Sequence, residues 1–363
     1  MTNSSERPTT PDIINGIQQV GIGVSDTKAV FNWYRKHLGF DILVFKDEAP
    51  AALMKRYTSG EICHRNAYLS LNMLGGGGLE IWQFLSRTPQ KPKFPIILGD
   101  LGINAMKIRS NDIQKSYDSL RGLELKYLTG INKTVKNGIS FYFQDPWDNL
   151  VEVVQDRYFF NKTSLSTGGV LGVVIGVSQI SESIRFYSDL LGYSILVSDQ
   201  TLELPLNNTP DANFGLFRKV VLAHSRPNFG GFGELLGPTQ IELLQALDRK
   251  PNRIFEDRLW GDLGYIHVCF DVQGMEKLRN RAASLNYPFT VDSAQSFDMG
   301  DAAGHFGYVE DPDGTLIEFV ETHKVPILKP LGIYLDLKKR NPHKPLPKWM
   351  VRTLRFHKVS KDI

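Results

Sequence analysis

Apolar residues along this chain follow two rhythms, and the same succession of them returns four times. Phe31, Tyr34 and Leu38 stand three or four positions apart, the spacing of one helix face, and Gly39-Phe40 closes that stretch. Ile17–Val24 precedes it as a strand. Alternation predicts further strands at Phe40–Phe45, around Tyr68–Leu74 and over Leu79–Phe84, with the Gly75–Gly78 run as the turn between the last two. The order is strand, helix, strand, strand, strand. It recurs, with one strand fewer in the second and fourth rounds. The second round has strand Gly102–Arg109, helix Ile113–Leu120 and strands Ile139–Gln144 and Leu150–Gln155. The third has Val170–Val177, a helix over 181–191, then Tyr193–Val197, Phe214–Ala223 and Gln240–Leu247. The fourth has Tyr265–Val272, a helix near 274–285, His305–Glu310 and Thr315–Glu321. Residues 200–213 and 225–238, rich in Pro, Asn and Gly, read as loops.

The rounds also repeat as text. Asp26 and Gln179, Tyr34 and Tyr187, and Gly39 and Gly192 are each separated by 153 positions. Asp145-Pro-Trp-Asp-Asn-Leu-Val-Glu152 and Asp311-Pro-Asp-Gly-Thr-Leu-Ile-Glu318 are separated by 166. Such self-similarity marks an internal duplication. It predicts an N-terminal arm (1–15), a first half (16–156), a linker (157–168), a second half (169–323) and a C-terminal extension (324–363).

Composition narrows the class without naming a chemistry. A chain of 363 residues with 42% hydrophobic and 22% charged residues has room for two ordinary globular cores. Net charge is +3, yet residues 327–363 hold ten Lys/Arg against two Asp/Glu. A basic tail can address nucleic acid or an anionic membrane; the plainer expectation is a solvated arm wrapping the body. Cys63 and Cys269 are the two cysteines, so no disulfide framework is implied and a reducing compartment fits. Met1 to Pro11 has no apolar run resembling a secretory signal, and no stretch approaches the ~20 apolar residues of a membrane span. The expectation is a cytoplasmic protein, monomer or homodimer, acting on a small molecule, with no membrane or nucleic-acid partner.

The four βαβββ units and the Asp-Pro-x-x-x-Leu-(Ile/Val)-Glu endings resemble the vicinal oxygen chelate superfamily, which includes glyoxalase I, extradiol dioxygenases and bleomycin-resistance proteins. The resemblance covers about residues 16–323 and implies an α+β fold in which units pair into two half-open barrels. It also implies metal ligands on the first and last strand of each unit. Those positions are Gln19 and Glu80 in unit one, and Ile103 or Asn104 with Glu152 in unit two. In unit three they are Gly172 and Glu242, and in unit four His267 and Glu318. Pairing unit one with unit four, as in fused glyoxalases I, assembles Gln19, Glu80, His267 and Glu318. Units two and three then make a barrel without a histidine.

One imidazole, two carboxylates and an amide oxygen suit one divalent metal ion, Zn, Ni, Co or Mn. Iron that activates oxygen usually sits on two histidines and a carboxylate, so Fe fits less well. The resemblance implies proton transfer through an enediolate, with Glu318 as base and Glu80 opposite it. Trp82 and Phe84 share the strand face of Glu80 and would wall a substrate pocket, or simply pack; Cys269 and His305 are further pocket candidates. Gly23, Phe84 and Leu263 replace the polar residues that bind glutathione in glyoxalase I, so a glutathione substrate is not expected. Two other readings stand beside this one: a ligand-sequestering protein of the bleomycin-resistance kind, and an iron-dependent extradiol-type dioxygenase.

Overall fold

The computed structural model describes residues 13–133, 138–205, 213–226, 230–294, 297–299, 302–328, 333–338 and 340–363. Unit one comprises β1 (Ile13–Gly23), α1 (Thr27–Leu38), β2 (Ile42–Pro50), β3 (His64–Leu71) and β4 (Gly78–Phe84). Unit two has β5 (Gly102–Ser110), α2 (Ile113–Arg121), β6 (Asn132–Lys133), β7 (Ile139–Gln144) and β8 (Leu150–Gln155). Unit three has β9 (Thr167–Gly176), α3 (Ile180–Arg185), β10 (Ile195–Pro205), β11 (Phe214–Ala223), α4 (Gly233–Leu236) and β12 (Gln240–Ala246). Unit four has β13 (Gly264–Gln273), α5 (Met275–Ser284), β14 (Val291–Asp292), β15 (Phe297–Met299), β16 (Ala302–Glu310) and β17 (Leu316–Thr322).

Sheet order decides how the units combine. One sheet runs β14-β16-β17-β13-β1-β4-β3-β2, with β15 added on β16; the other runs β10-β11-β12-β9-β5-β8-β7-β6. Units one and four therefore share a sheet across antiparallel β1 and β13, and units two and three share the other across β5 and β9. Each sheet thus draws on both halves of the sequence.

The repeated residues tie the units of one half together. Asp26 caps α1 by accepting from the Lys28 and Ala29 amides at 2.9 and 3.0 Å, and Gly39, at φ 78°, ends it in the left-handed conformation. The Tyr34 hydroxyl donates to Asp145 at 2.8 Å, and its repeat Tyr187 donates to Asp311 at 3.0 Å. Those aspartates also accept the backbone amides of their own turns, Trp147 and Asn149 in one, Asp313 and Thr315 in the other. Gln179 supplies no cap, and the helix it opens loosens into π-helical spacing over Phe186–Leu190.

Several expected boundaries move. β10 reaches Pro205, so the proposed loop over 200–213 is strand at its start; residues 206–212 lie outside those described. β1 begins at Ile13 and β9 at Thr167, so the arm and the linker are shorter than expected. The basic extension packs on the body through apolar residues. It forms a hairpin, β18 (Lys324–Leu328) with β19 (Ile333–Asp336), then α6 (Lys348–Val351) continued by a tighter turn over Arg352–His357. Leu337, Leu346 and Val351 are buried with Ile42, Leu71, Met73, Phe160 and Leu235, apolar contact that anchors the tail. No helix among the described residues is long and apolar enough to cross a membrane.

Candidate metal centre

At the seam of the first sheet, strand register gathers side chains from opposite ends of the chain. Gly21 on β1 faces both His267 on β13 and Glu80 on β4, and two residues away Cys269 faces Gln19 and Glu318. Side chains alternate across a strand, so His267 and Cys269 share one face of β13. Glu80, His267 and Glu318 each present a ligand atom, all within 4.8 Å of one another. The His267 Nε2 lies 3.2 Å from a Glu80 oxygen and 3.0 Å from a Glu318 oxygen.

Hydrogen bonding does not account for that approach. Both His267 nitrogens and the Glu318 Oε2 are buried without a hydrogen-bond partner, and so is the Oε1 of Gln19. Leaving such groups unpaired costs about 1–3 kcal/mol each, more when they are charged. An amide oxygen, an imidazole and two carboxylates so placed fit a divalent cation. Burial alone would lower the His267 imidazole, but Glu318 and Glu80 outweigh it and push it up to about 10. With a cation between them, the carboxylates would face that ion instead and leave the imidazole neutral and ligating.

The β1 bulge at Gln18 separates the two adjacent glutamines. Gln18 donates to Asp271 at 3.4 Å and accepts from the Cys269 thiol at 3.7 Å, whereas Gln19 keeps its oxygen unpartnered. Asp271 also accepts from Asn15 at 2.6 Å, and burial pushes its carboxyl up to about 7. Cys269 is fully buried; burial, then Glu318 and Glu80, hold its thiol well above the usual range. It therefore stays protonated beside the cluster.

Two pocket expectations change. His305 is not part of the site: alternation turns it to the face of β16 opposite Tyr308, where its Nε2 meets Asp292 at 2.5 Å. Trp82 and Phe84 do share the face of Glu80, but they are packed closed. Their ring centroids are 4.7 Å apart, and Trp82 lies 4.4 Å from Trp260. Open space starts beyond Trp260, in a cavity of about 380 Å³ lined by Tyr57, Ile103, Arg258, Trp260, Ile266 and Leu316 among others. Sequence reasoning also missed Tyr308. It is the β16 partner of Glu318, and its ring meets His267 edge-on at 5.6 Å. The 166-residue repeat marks it, because Tyr142 stands in the same relation to Glu152.

The second sheet shows the same positions with other contents. Gly172 faces Lys107, Lys107 faces Glu152, and Glu242 faces Val174, which in turn faces Ala105. The place of His267 is therefore taken by Ala105, not by Ile103 or Asn104: a bulge between Ile103 and Ala105 displaces the count. Val174 fills the room that Gly21 leaves under the imidazole. The Lys107 ammonium is buried between Glu152, at 3.0 Å, and Glu242, with Lys219 at 2.7 Å from Glu242. An internal cation thus occupies this centre, and Glu152 and Glu242 are its structural partners.

The family is now decided. The chain belongs to the Glyoxalase/Bleomycin resistance protein/Dioxygenase superfamily, whose family model matches residues 16–153 and 169–319. Among solved structures it is similar to glyoxalase I from Zea mays at 15% identity and TM-score 0.53, over 85% of this chain and 93% of that one. It is also similar to a protein of Bacillus subtilis subsp. subtilis str. 168, assigned provisionally as a dioxygenase, at 13% identity and TM-score 0.54, over 85% of each chain. At such identities these likenesses concern the fold. No curated protein sequence matches the chain.

Proposed function

We propose that the protein is a metal-dependent lyase or isomerase of the glyoxalase type, acting on a small substrate with neighbouring oxygens and not requiring glutathione. The observation that carries this reading is the set of buried, unpartnered donor atoms on Gln19, His267 and Glu318, with Glu80 alongside. A divalent ion held there supplies Lewis acidity that makes a carbon beside two oxygens easier to deprotonate. Glu318 takes the proton from one carbon and returns it to the next; its side chain is only 10% exposed, which excludes most competing water. Glu80, at 14%, stands on the other side of His267. Tyr308, with its pKa raised first by burial and then by Glu318 and Glu80, keeps its hydroxyl proton and serves as a donor rather than a base. The cavity beyond Trp260 takes the organic part of the substrate.

A single histidine in the cluster argues against an iron dioxygenase, which would need two. Elemental analysis of purified protein tests the reading. About one divalent ion per chain is expected, lost in His267→Ala and kept in Glu152→Gln. Stoichiometric metal in His267→Ala, or none in the wild type, would remove the proposal; the latter result would favour a sequestering protein.

A further inference from the structure

The C-terminal extension presents a surface that the metal centre does not use. Residues 348–357 are fixed to the body from one side. Val351 is buried there, Met350 and Leu354 pack beside it, and the Val359 amide donates to the Asp41 carbonyl at 2.8 Å. Arg35 pairs with Asp362 close to the chain end. The other side points away from the protein and carries Trp349, 63% exposed, and Phe356, 76% exposed. Trp33, Trp82, Trp147 and Trp260 are all buried or half-buried, so Trp349 departs from how this chain treats tryptophan. Trp349 sits in the α-helical turn and Phe356 in the tighter turn that follows it, and both side chains project into solvent.

Cations surround them. Lys344, Lys348, Arg352, Arg355, Lys358 and Lys361 are all exposed. Glu234 and Asp41 partly offset Lys348 and Lys358 at 3.3 and 2.9 Å. Arg352 and Arg355 lie instead over the rings of Phe160 and Phe356, at 5.9 and 5.5 Å. Exposed Trp and Phe amid Lys and Arg form an interfacial pattern: rings enter the headgroup boundary while cations meet anionic headgroups. A second copy of this chain would bring like charge against like charge in a twofold pairing.

We propose that this face, centred on Trp349 and Phe356, docks the protein on an anionic lipid bilayer. It amends the expectation of no membrane partner: the surface lies on a bilayer and does not span it. It is independent of what the metal centre does.

The test is sedimentation of the full-length protein with unilamellar vesicles, either pure phosphatidylcholine or 70:30 phosphatidylcholine to phosphatidylserine, at increasing salt. Binding to the anionic vesicles alone, falling with salt, is expected. Arg352→Gln with Arg355→Gln should weaken it about 30-fold, from ~1 kcal/mol per cation. Trp349→Ala with Phe356→Ala should weaken it about tenfold or more at unchanged metal content. Quenching of wild-type tryptophan fluorescence by brominated lipid gives the same answer without substitution, should a variant fail to fold. No binding to anionic vesicles overturns the proposal, as does binding that neither double variant alters. Preference for duplex DNA over vesicles, or dimerisation abolished by the aromatic variant in protein that ignores vesicles, overturns it as well.

Discussion

Gly21 lies directly beneath the imidazole of His267: a methyl group added at Gly21 would fall 2.3 Å from the His267 Cε1. Glycine is needed there for space, not for an unusual backbone angle. The repeat of Gly21, 153 residues on, is Val174, and the repeat of His267 is Ala105. One barrel spends its volume on the imidazole, the other on an isopropyl group. Gly21→Ala should therefore displace His267 and lower metal affinity about 10–100-fold, the range for altered support of a ligand, while overpacking costs about 1–3 kcal/mol of stability. Metal titration and thermal unfolding measure the two separately. Gly130→Ala, where nothing lies within 4 Å, is the matched control. Equal metal affinity in both variants would show that His267 is not a ligand.

Lys107 carries the counterpart prediction. Replacing it by Met leaves Glu152 and Glu242 buried with Lys219 as their remaining cation. Removing one partner of a buried ion cluster typically costs about 3–5 kcal/mol, so the variant should unfold at markedly lower denaturant. Added Zn or Mn should not rescue it, because no imidazole is present. Installing Ala105→His and Val174→Gly in the same variant restores both the ligand and the room for it. Metal content should then rise from about one ion per chain toward two, read by elemental analysis. A count still near one would mean that the two barrels differ in more than these positions.

Much of this arrangement is legible in the sequence, and the losses have definite causes. The spacing of Tyr34 to Tyr187 and of Asp145 to Asp311 reports a real contact, a helix hydroxyl bonded to a turn carboxylate in each half. The four ligand candidates on four strands come from the resemblance to the vicinal oxygen chelate superfamily, laid onto those repeats. Ala105 could not be found by counting, because bulges in β5 shift the register and a one-residue slip turns a side chain to the other face. Lys107 gives no local signal: within Asn-Ala-Met-Lys-Ile-Arg it reads as an ordinary outward residue. Only the pairing of β5 with β8 and β9 reveals that it faces Glu152 and lies near Glu242. The misplacement of His305 has another origin: it stands three residues from Tyr308 on β16, an odd spacing that turns it to the opposite face.

Acid should act on the second barrel through Glu242. Burial would raise this carboxyl, but Lys107 and Lys219 outweigh it and hold it at about 2, below its ordinary 4.5. The unfolded chain therefore binds the proton more readily than the folded one. The stability contributed is complete above about 4.5 and is lost as pH falls from there through 2. Glu242→Gln should start less stable at neutral pH and show a shallower decline across that interval, followed by chemical denaturation at each pH. Parallel slopes for wild type and variant would mean that the cluster does not carry the acid sensitivity.

On the proposed reading, the positions that the resemblance assigns to glutathione binding depart from glyoxalase I more sharply than the candidate metal ligands do. Gly23 offers no side chain, and a Cβ there would fall 2.0 Å from the Asp262 carbonyl oxygen, so no arginine can be accommodated at that position. Phe84 is packed against Trp82, and Leu263 is apolar. Each lost charge-assisted bond to a carboxylate removes about 1.5–3 kcal/mol, and two or three together weaken recognition by orders of magnitude. Protein loaded with Ni or Zn should therefore make little thioester from methylglyoxal and glutathione. Turnover near ~10 s⁻¹, usual for enzymes, would show that glutathione is held by residues other than these. Absent that turnover, compounds pairing neighbouring oxygens with an apolar portion sized for the 380 Å³ cavity are the ones to assay, and Trp260→Ala should alter their KM without changing metal content.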